Sequence, residues 1–179
     1  MSYLIYLFCI ALVIVLDQIT KFIAVEQLYP ASSFPIIKDV LHFTYVENTG
    51  AAFGILKDHR WIFMVLSTVM IAVMLFLMFK FKKYMHPILL VGLSFTIGGG
   101  IGNMIDRIFL GYVVDFIDFT LIDFPSFNVA DSFICIGVGL MILDILLGKS
   151  NIPFLDKKEE KETEDIITGE TTDDETDSR

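Results

Sequence analysis

Four runs of apolar residues, at about 4–25, 61–79, 87–105 and 129–148, constrain this chain more than any other feature. Each is close to the ~20 residues that a helix needs to cross a hydrocarbon core ~30 Å thick. The second and third runs carry no charge; the first contains Asp17 and Lys21, and the fourth holds Asp131 near its start and Asp144 near its end. In lipid every backbone polar group must be bonded internally, so only helices and closed barrels span, and these runs lack the alternation of barrel strands. The reading is a mainly α, polytopic membrane protein with four transmembrane helices. Composition agrees: 55% hydrophobic residues and 17 phenylalanines in 179 residues exceed what a small soluble core hides. The first run has no basic leader and passes into Asp17-Gln18-Ile19-Thr20-Lys21 rather than a small-residue cleavage site, so it reads as a retained anchor.

The net charge of −9 is unevenly placed. Residues 150–179 hold eleven acids and four bases, whereas residues 1–149 hold eleven and nine. The division is therefore a membrane-embedded domain over 1–149 and an acidic tail over 150–179, expected to be disordered and cytoplasmic, with little to bury. Lys80, Lys82 and Lys83 crowd the short link between the second and third runs, and Lys149, Lys157, Lys158 and Lys161 follow the fourth. Positive residues favour the cytoplasmic side, which puts both termini inside and the 26–60 and 106–128 segments outside.

The first outer segment has structure of its own. Residues 40–47, Val-Leu-His-Phe-Thr-Tyr-Val-Glu, are β-branched and aromatic, and a second apolar run, 51–56, follows the turn-forming Asn48-Thr49-Gly50. These predict a small extracytoplasmic sheet, to which Val113-Val114-Asp115 adds a strand, forming a cradle for an extended peptide. Cys9 and Cys135 fall within spans and read as small buried hydrophobes. His42, His59 and His86 are scattered and assemble neither a zinc site nor a Ser-His-Asp triad. No metal, cofactor or nucleic acid is expected.

Asp115 and Asp131 flank long apolar segments on the predicted outer side, and an ionisable group there is a functional-site hypothesis by default. Asp17 and Lys21, four apart, share a helical face; their simplest role is an ion pair securing the first helix. Gly98 and Gly102 have the spacing of close helix packing. Asn103, Asp106 and Arg107 then place an amide, a carboxylate and a guanidinium on one face; Arg107 could pair with Asp106, fix a catalytic carboxylate, or hold a lipid phosphate or a backbone carbonyl. Carboxylates at these positions also fit a small ion or proton transporter, although they cluster on one side and show no convincing repeat, or a scaffold whose charges serve only assembly.

Taken in order, Asp17-Gln18-x-x-Lys21, Glu47-Asn48-x-Gly50-Ala51-Ala52-Phe53, Gly102-Asn103-x-x-Asp106-Arg107, Val114-Asp115-Phe116 and Phe127-Asn128-x-Ala130-Asp131 resemble the motif set of the lipoprotein signal peptidases, or signal peptidase II. The resemblance covers nearly all of residues 10–148 and excludes the tail. It implies an aspartic endopeptidase of the bacterial cytoplasmic membrane that cuts prolipoproteins before a diacylglyceryl-modified cysteine, among membrane lipids, and is blocked by cyclic peptides of the globomycin type. By position it implies Asp115 and Asp131 as the catalytic dyad, with Asn48, Gly54, Asn103, Asp106, Arg107, Asn128 and Ala130 around them, and Asp17 and Lys21 at the outer end of the first helix. Two neighbouring carboxyls sharing one proton suit general acid–base hydrolysis, and the three asparagines are expected to offer amides to a peptide backbone.

Overall fold

The computed structural model describes residues 3–29, 33–50 and 60–151. Gly54, the 51–56 run, His59 and the tail from residue 152 lie outside the described residues, so the expectations placed on them have no counterpart here.

Four long helices carry the apolar runs: α1 (Tyr3–Leu28), α2 (Arg60–Phe81), α3 (Pro87–Phe109) and α4 (Val129–Leu146). All four are long and apolar enough to cross a membrane. Their surfaces are turned inside out for water, with Phe8, Phe22 and Leu146 among many exposed large hydrophobic side chains. Local chemistry sets the helix starts. Pro87 is preorganised for the first turn of α3, while His86 before it accepts a hydrogen bond from the Ile88 amide at 3.3 Å. Asn128 and Asp131 cap α4 reciprocally, side chain to backbone in both directions.

Central helix α3 packs against α1, α2 and α4. Its glycines permit this close approach. A Cβ on Gly98 would fall 2.8 Å from Val13 Cβ of α1, and one on Gly99 would fall 2.5 Å from the Ala130 carbonyl of α4. The Gly98–Gly102 spacing is thus a packing stripe against α1, while Gly99 beside it serves α4. Helix α3 also runs four residues beyond the predicted 105, because Asp106 and Arg107 end the hydropathy but not the helical bonding. It stops where Gly111, at φ 88°, turns the chain and returns its amide to the Asp106 carbonyl.

That turn delivers the chain into a three-stranded antiparallel sheet, β1 (Ser33–Ile37), β2 (Leu41–Asn48) and β3 (Val113–Asp118), with β2 in the middle. The strand expected at 40–47 and the short one at 113–115 are both present, and Val46 pairs with Asp115. β1 was not anticipated from the sequence: Ser-Phe-Pro-Ile-Ile contains a proline, which is tolerated because β1 is an edge strand.

Packing falls into three levels. Tyr6, Ile10, Met78, Leu89, Leu93 and Ile97 form an apolar cluster among α1, α2 and α3. Ala24 and Leu28 of α1 meet Tyr45, Val114 and Phe116 of the sheet in a second. Asp17, Lys21, Asn103, Asp106 and Asn128 are buried at the level between them.

Candidate active site at one end of the bundle

Asp115 lies on β3 and Asp131 on the first turn of α4, and both line a cleft of about 600 Å³. Its walls include Asn48, Asn103, Arg107, Phe124, Phe127, Ser132 and Cys135. Asn128 bridges the two carboxyls. Its Nδ2 donates to Asp115 Oδ1 at 2.7 Å, its backbone N–H donates to Asp131 Oδ2 at 3.1 Å, and its Oδ1 accepts from the Asp131 amide at 3.0 Å. Asn48 Nδ2 reaches the other Asp115 oxygen at 2.8 Å, and Asn103 Nδ2 reaches Asp131 Oδ1 at 2.8 Å. The amides expected to greet a peptide backbone are thus committed largely to holding the dyad.

Burial pushes the Asp115 carboxyl up to about 7, and the nearby Asp131 charge adds to the rise, while the donors from Asn48 and Asn128 oppose it. A carboxyl with this value exchanges its proton near neutrality, as a general acid or base must.

Behind the cleft, Lys21 Nζ contacts Asp17 Oδ2 at 2.9 Å, Asp106 Oδ2 at 2.9 Å and Asn103 Oδ1 at 2.8 Å. The predicted Asp17–Lys21 pair is there, but it has a third charged member. Asp106 is engaged by Lys21 and by the Val114 amide at 3.1 Å, while Arg107 Nη1 donates to the Asn103 carbonyl at 3.4 Å and its side chain faces the cleft. Asp17 Oδ1 accepts the Ala130 amide at 3.0 Å, which fixes the start of α4 against α1. Gly102 matters here because a Cβ would stand 2.5 Å from Asp17 Oδ2.

Every described residue expected at the site, Asp17, Lys21, Asn48, Asn103, Asp106, Arg107, Asp115, Asn128, Ala130 and Asp131, therefore joins this network or borders the cleft; Gly54 lies outside the described residues. Three participants are not among the site residues expected from the sequence. Gln18 Nε2 joins Asp17, the Gly102 carbonyl and Asp106, at 3.2, 3.3 and 3.0 Å. Ser132 and Cys135 line the cleft, and Cys135 is exposed rather than the buried hydrophobe expected. The signal for Cys135 was its place four residues after Asp131, on the same helical face.

Four apolar helices, a small sheet and two carboxyls lining one cleft, Asp115 buried and Asp131 half-buried, define a polytopic membrane protein equipped for acid–base chemistry. The profile described as "Signal peptidase (SPase) II" matches residues 9–147. A lipoprotein signal peptidase of Brevibacillus brevis is 46% identical over 147 residues, covering 82% of this chain and 98% of that protein. One from Caldanaerobacter subterraneus is 48% identical over 129 residues, covering 72% and 86%. Among solved structures, a bacterial membrane enzyme determined by the in meso method at 2.3 Å superposes with a TM-score of 0.73 at 35% identity, covering 79% of this chain and 87% of the other. The chain belongs to the signal peptidase II family. It is a multi-pass membrane peptidase that removes signal peptides from prolipoproteins, and the transporter reading is not supported.

Proposed function

We propose that the chain is an aspartic endopeptidase that cuts prolipoproteins immediately before a diacylglyceryl-modified cysteine. The observation that carries this reading is the bridging of Asp115 and Asp131 by Asn128 in one cleft. The pair titrates as a unit and shares a proton. The ionised member takes a proton from a water as the water attacks the scissile carbonyl, and the protonated member donates its proton to the carbonyl oxygen. Collapse of the tetrahedral intermediate breaks the C–N bond, with a proton passed from the dyad to the leaving amine. Arg107 and the asparagines supply a preorganised polar surround.

The domain comprises residues 1–149, in the cytoplasmic membrane, with both termini inside and the site at the outer leaflet; this follows from the lysines at 80, 82, 83 and 149. The substrate's lipid stays in the outer leaflet between helices while its signal helix unwinds at the cleavage point, where the cleft satisfies the freed backbone. Membrane lipids border this route, and globomycin-type cyclic peptides would compete for the same cleft.

The reading is tested with purified Asp115→Asn and Asp131→Asn on a diacylglyceryl-modified prolipoprotein. Each is expected to lose about 10²- to 10⁴-fold in cleavage rate while eluting and melting as a folded protein. Cleavage near the wild-type rate in either variant would remove the aspartic dyad.

A further inference from the structure

We infer that Lys21 is a positioning residue for the dyad: its ammonium sets the orientation of the Asn103 amide and thereby makes Asn103 a hydrogen-bond donor to Asp131. The inference rests on the reading of Asp115 and Asp131 as the catalytic pair.

An ammonium has three N–H donors and no acceptor. At Lys21 these meet three oxygens, Asp17 Oδ2, Asp106 Oδ2 and Asn103 Oδ1, all within 2.9 Å, and the side chain is buried. Asn103 must therefore show Lys21 its carbonyl oxygen. The amide is planar, so Nδ2 points the other way, where it lies 2.8 Å from Asp131 Oδ1. Asn128 Nδ2 also donates to Asn103 Oδ1, at 3.0 Å, and enforces the same polarity. The reversed amide would set NH2 against an ammonium and a second NH2, and an oxygen against a carboxylate. With three contacts unfavourable at once in a buried site, only one orientation is tenable.

The position of Lys21 is itself fixed from both catalytic segments. Asp17 holds the Ala130 amide, one residue before Asp131, and Asp106 holds the Val114 amide, one residue before Asp115. A single cation on α1 thus clamps two carboxylates that each grip the backbone beside a catalytic residue, and passes its polarity through one amide to Asp131. An ion pair serving only to secure α1 would need neither Asn103 nor this direction of bonding.

The test is a double-mutant cycle on the purified full-length protein, with steady-state cleavage of the lipidated prolipoprotein measured across pH. Lys21→Met and Asn103→Leu are each expected to lower kcat by up to about 100-fold with KM nearly unchanged. Lys21→Met should also move the pH profile upward, since the Lys21 charge opposes the rise at the Asp115 carboxyl. The double variant should be no slower than the worse single one. Losses that multiply in the double variant, or a Lys21→Met enzyme with wild-type kcat and pH profile, would overturn the inference. Should Lys21→Met fail to fold, the same cycle is run with Asp17→Asn/Lys21→Met against Asp17→Asn, which removes one charge of each sign. Asp131→Asn separates the two claims: if it is inactive while Lys21→Met turns over normally, only the role of Lys21 falls, and if it cleaves, the dyad falls with it.

Discussion

Two regions of this bundle bury carboxylates, and they treat them oppositely. Asp17, with essentially no exposed surface, has both oxygens bonded, to the Ala130 amide and to Lys21 and Gln18. Asp144, near the far end of α4 and 1% exposed, has neither oxygen hydrogen-bonded among the described residues, and its nearest ionic neighbour is His86 Nδ1 at 3.8 Å. Burial alone is thus no sign of a working site. What distinguishes the cleft end is that its acids are held by donors on several elements, so their positions are determined from α1, α3, α4 and the sheet together. A carboxylate without such donors contributes desolvation cost and little geometry.

The contrast is broken most severely by Asp17→Ala. It strands the Ala130 amide and leaves Lys21 with one carboxylate fewer, and breaking a buried ionic cluster costs about 3–5 kcal/mol. Thermal unfolding in detergent should show a large drop in Tm; a variant as stable as wild type would mean that the network holds nothing. Next comes pH. Folded Asp115 keeps its proton up to about 7, whereas the unfolded chain loses it near 4, so the folded state binds the extra proton between those values. Stability should therefore fall as pH rises through that window, and Asp115→Asn should flatten the slope of Tm against pH. A slope unaltered by the substitution would assign it to another group.

Smaller effects sharpen the comparison from the other side. Asp144→Leu removes a buried carboxyl without stranding a hydrogen-bonded partner side chain among the described residues, so it is expected to be neutral or stabilising by about 1–3 kcal/mol. A loss comparable to that of Asp17→Ala would show that Asp144 is as firmly integrated as Asp17. Smallest of all, Cys135→Ser should leave cleavage within about twofold of wild type, because the thiol borders the cleft without entering the proposed proton transfers. A severe loss of kcat would bring the thiol into the chemistry.

The helices were legible because a span leaves a continuous apolar run near twenty residues, and the family was legible because short polar motifs recur in order between those runs. The Asp17–Lys21 pair could be read from helical spacing, as could the shared face of Asn103, Asp106 and Arg107. That Asp106 completes the Lys21 cluster could not be, because it depends on the register of α1 against α3, which the Gly98 and Gly102 contacts set in three dimensions. β1 escaped notice because Pro35 interrupts a five-residue strand with no alternation, and strand pairing is a non-local property. Gln18 escaped because its one-residue offset from Asp17 suggests a different helical face, yet its long side chain reaches across to α3.

The most direct test of the account is a gel-shift comparison of a diacylglyceryl-modified prolipoprotein with its unmodified form, each incubated with wild-type protein and with Asp131→Asn. The account predicts that only the lipidated form is cut, and only by the wild type. Equal processing of both forms would contradict the lipid-dependent substrate, and processing by Asp131→Asn would contradict the aspartic dyad.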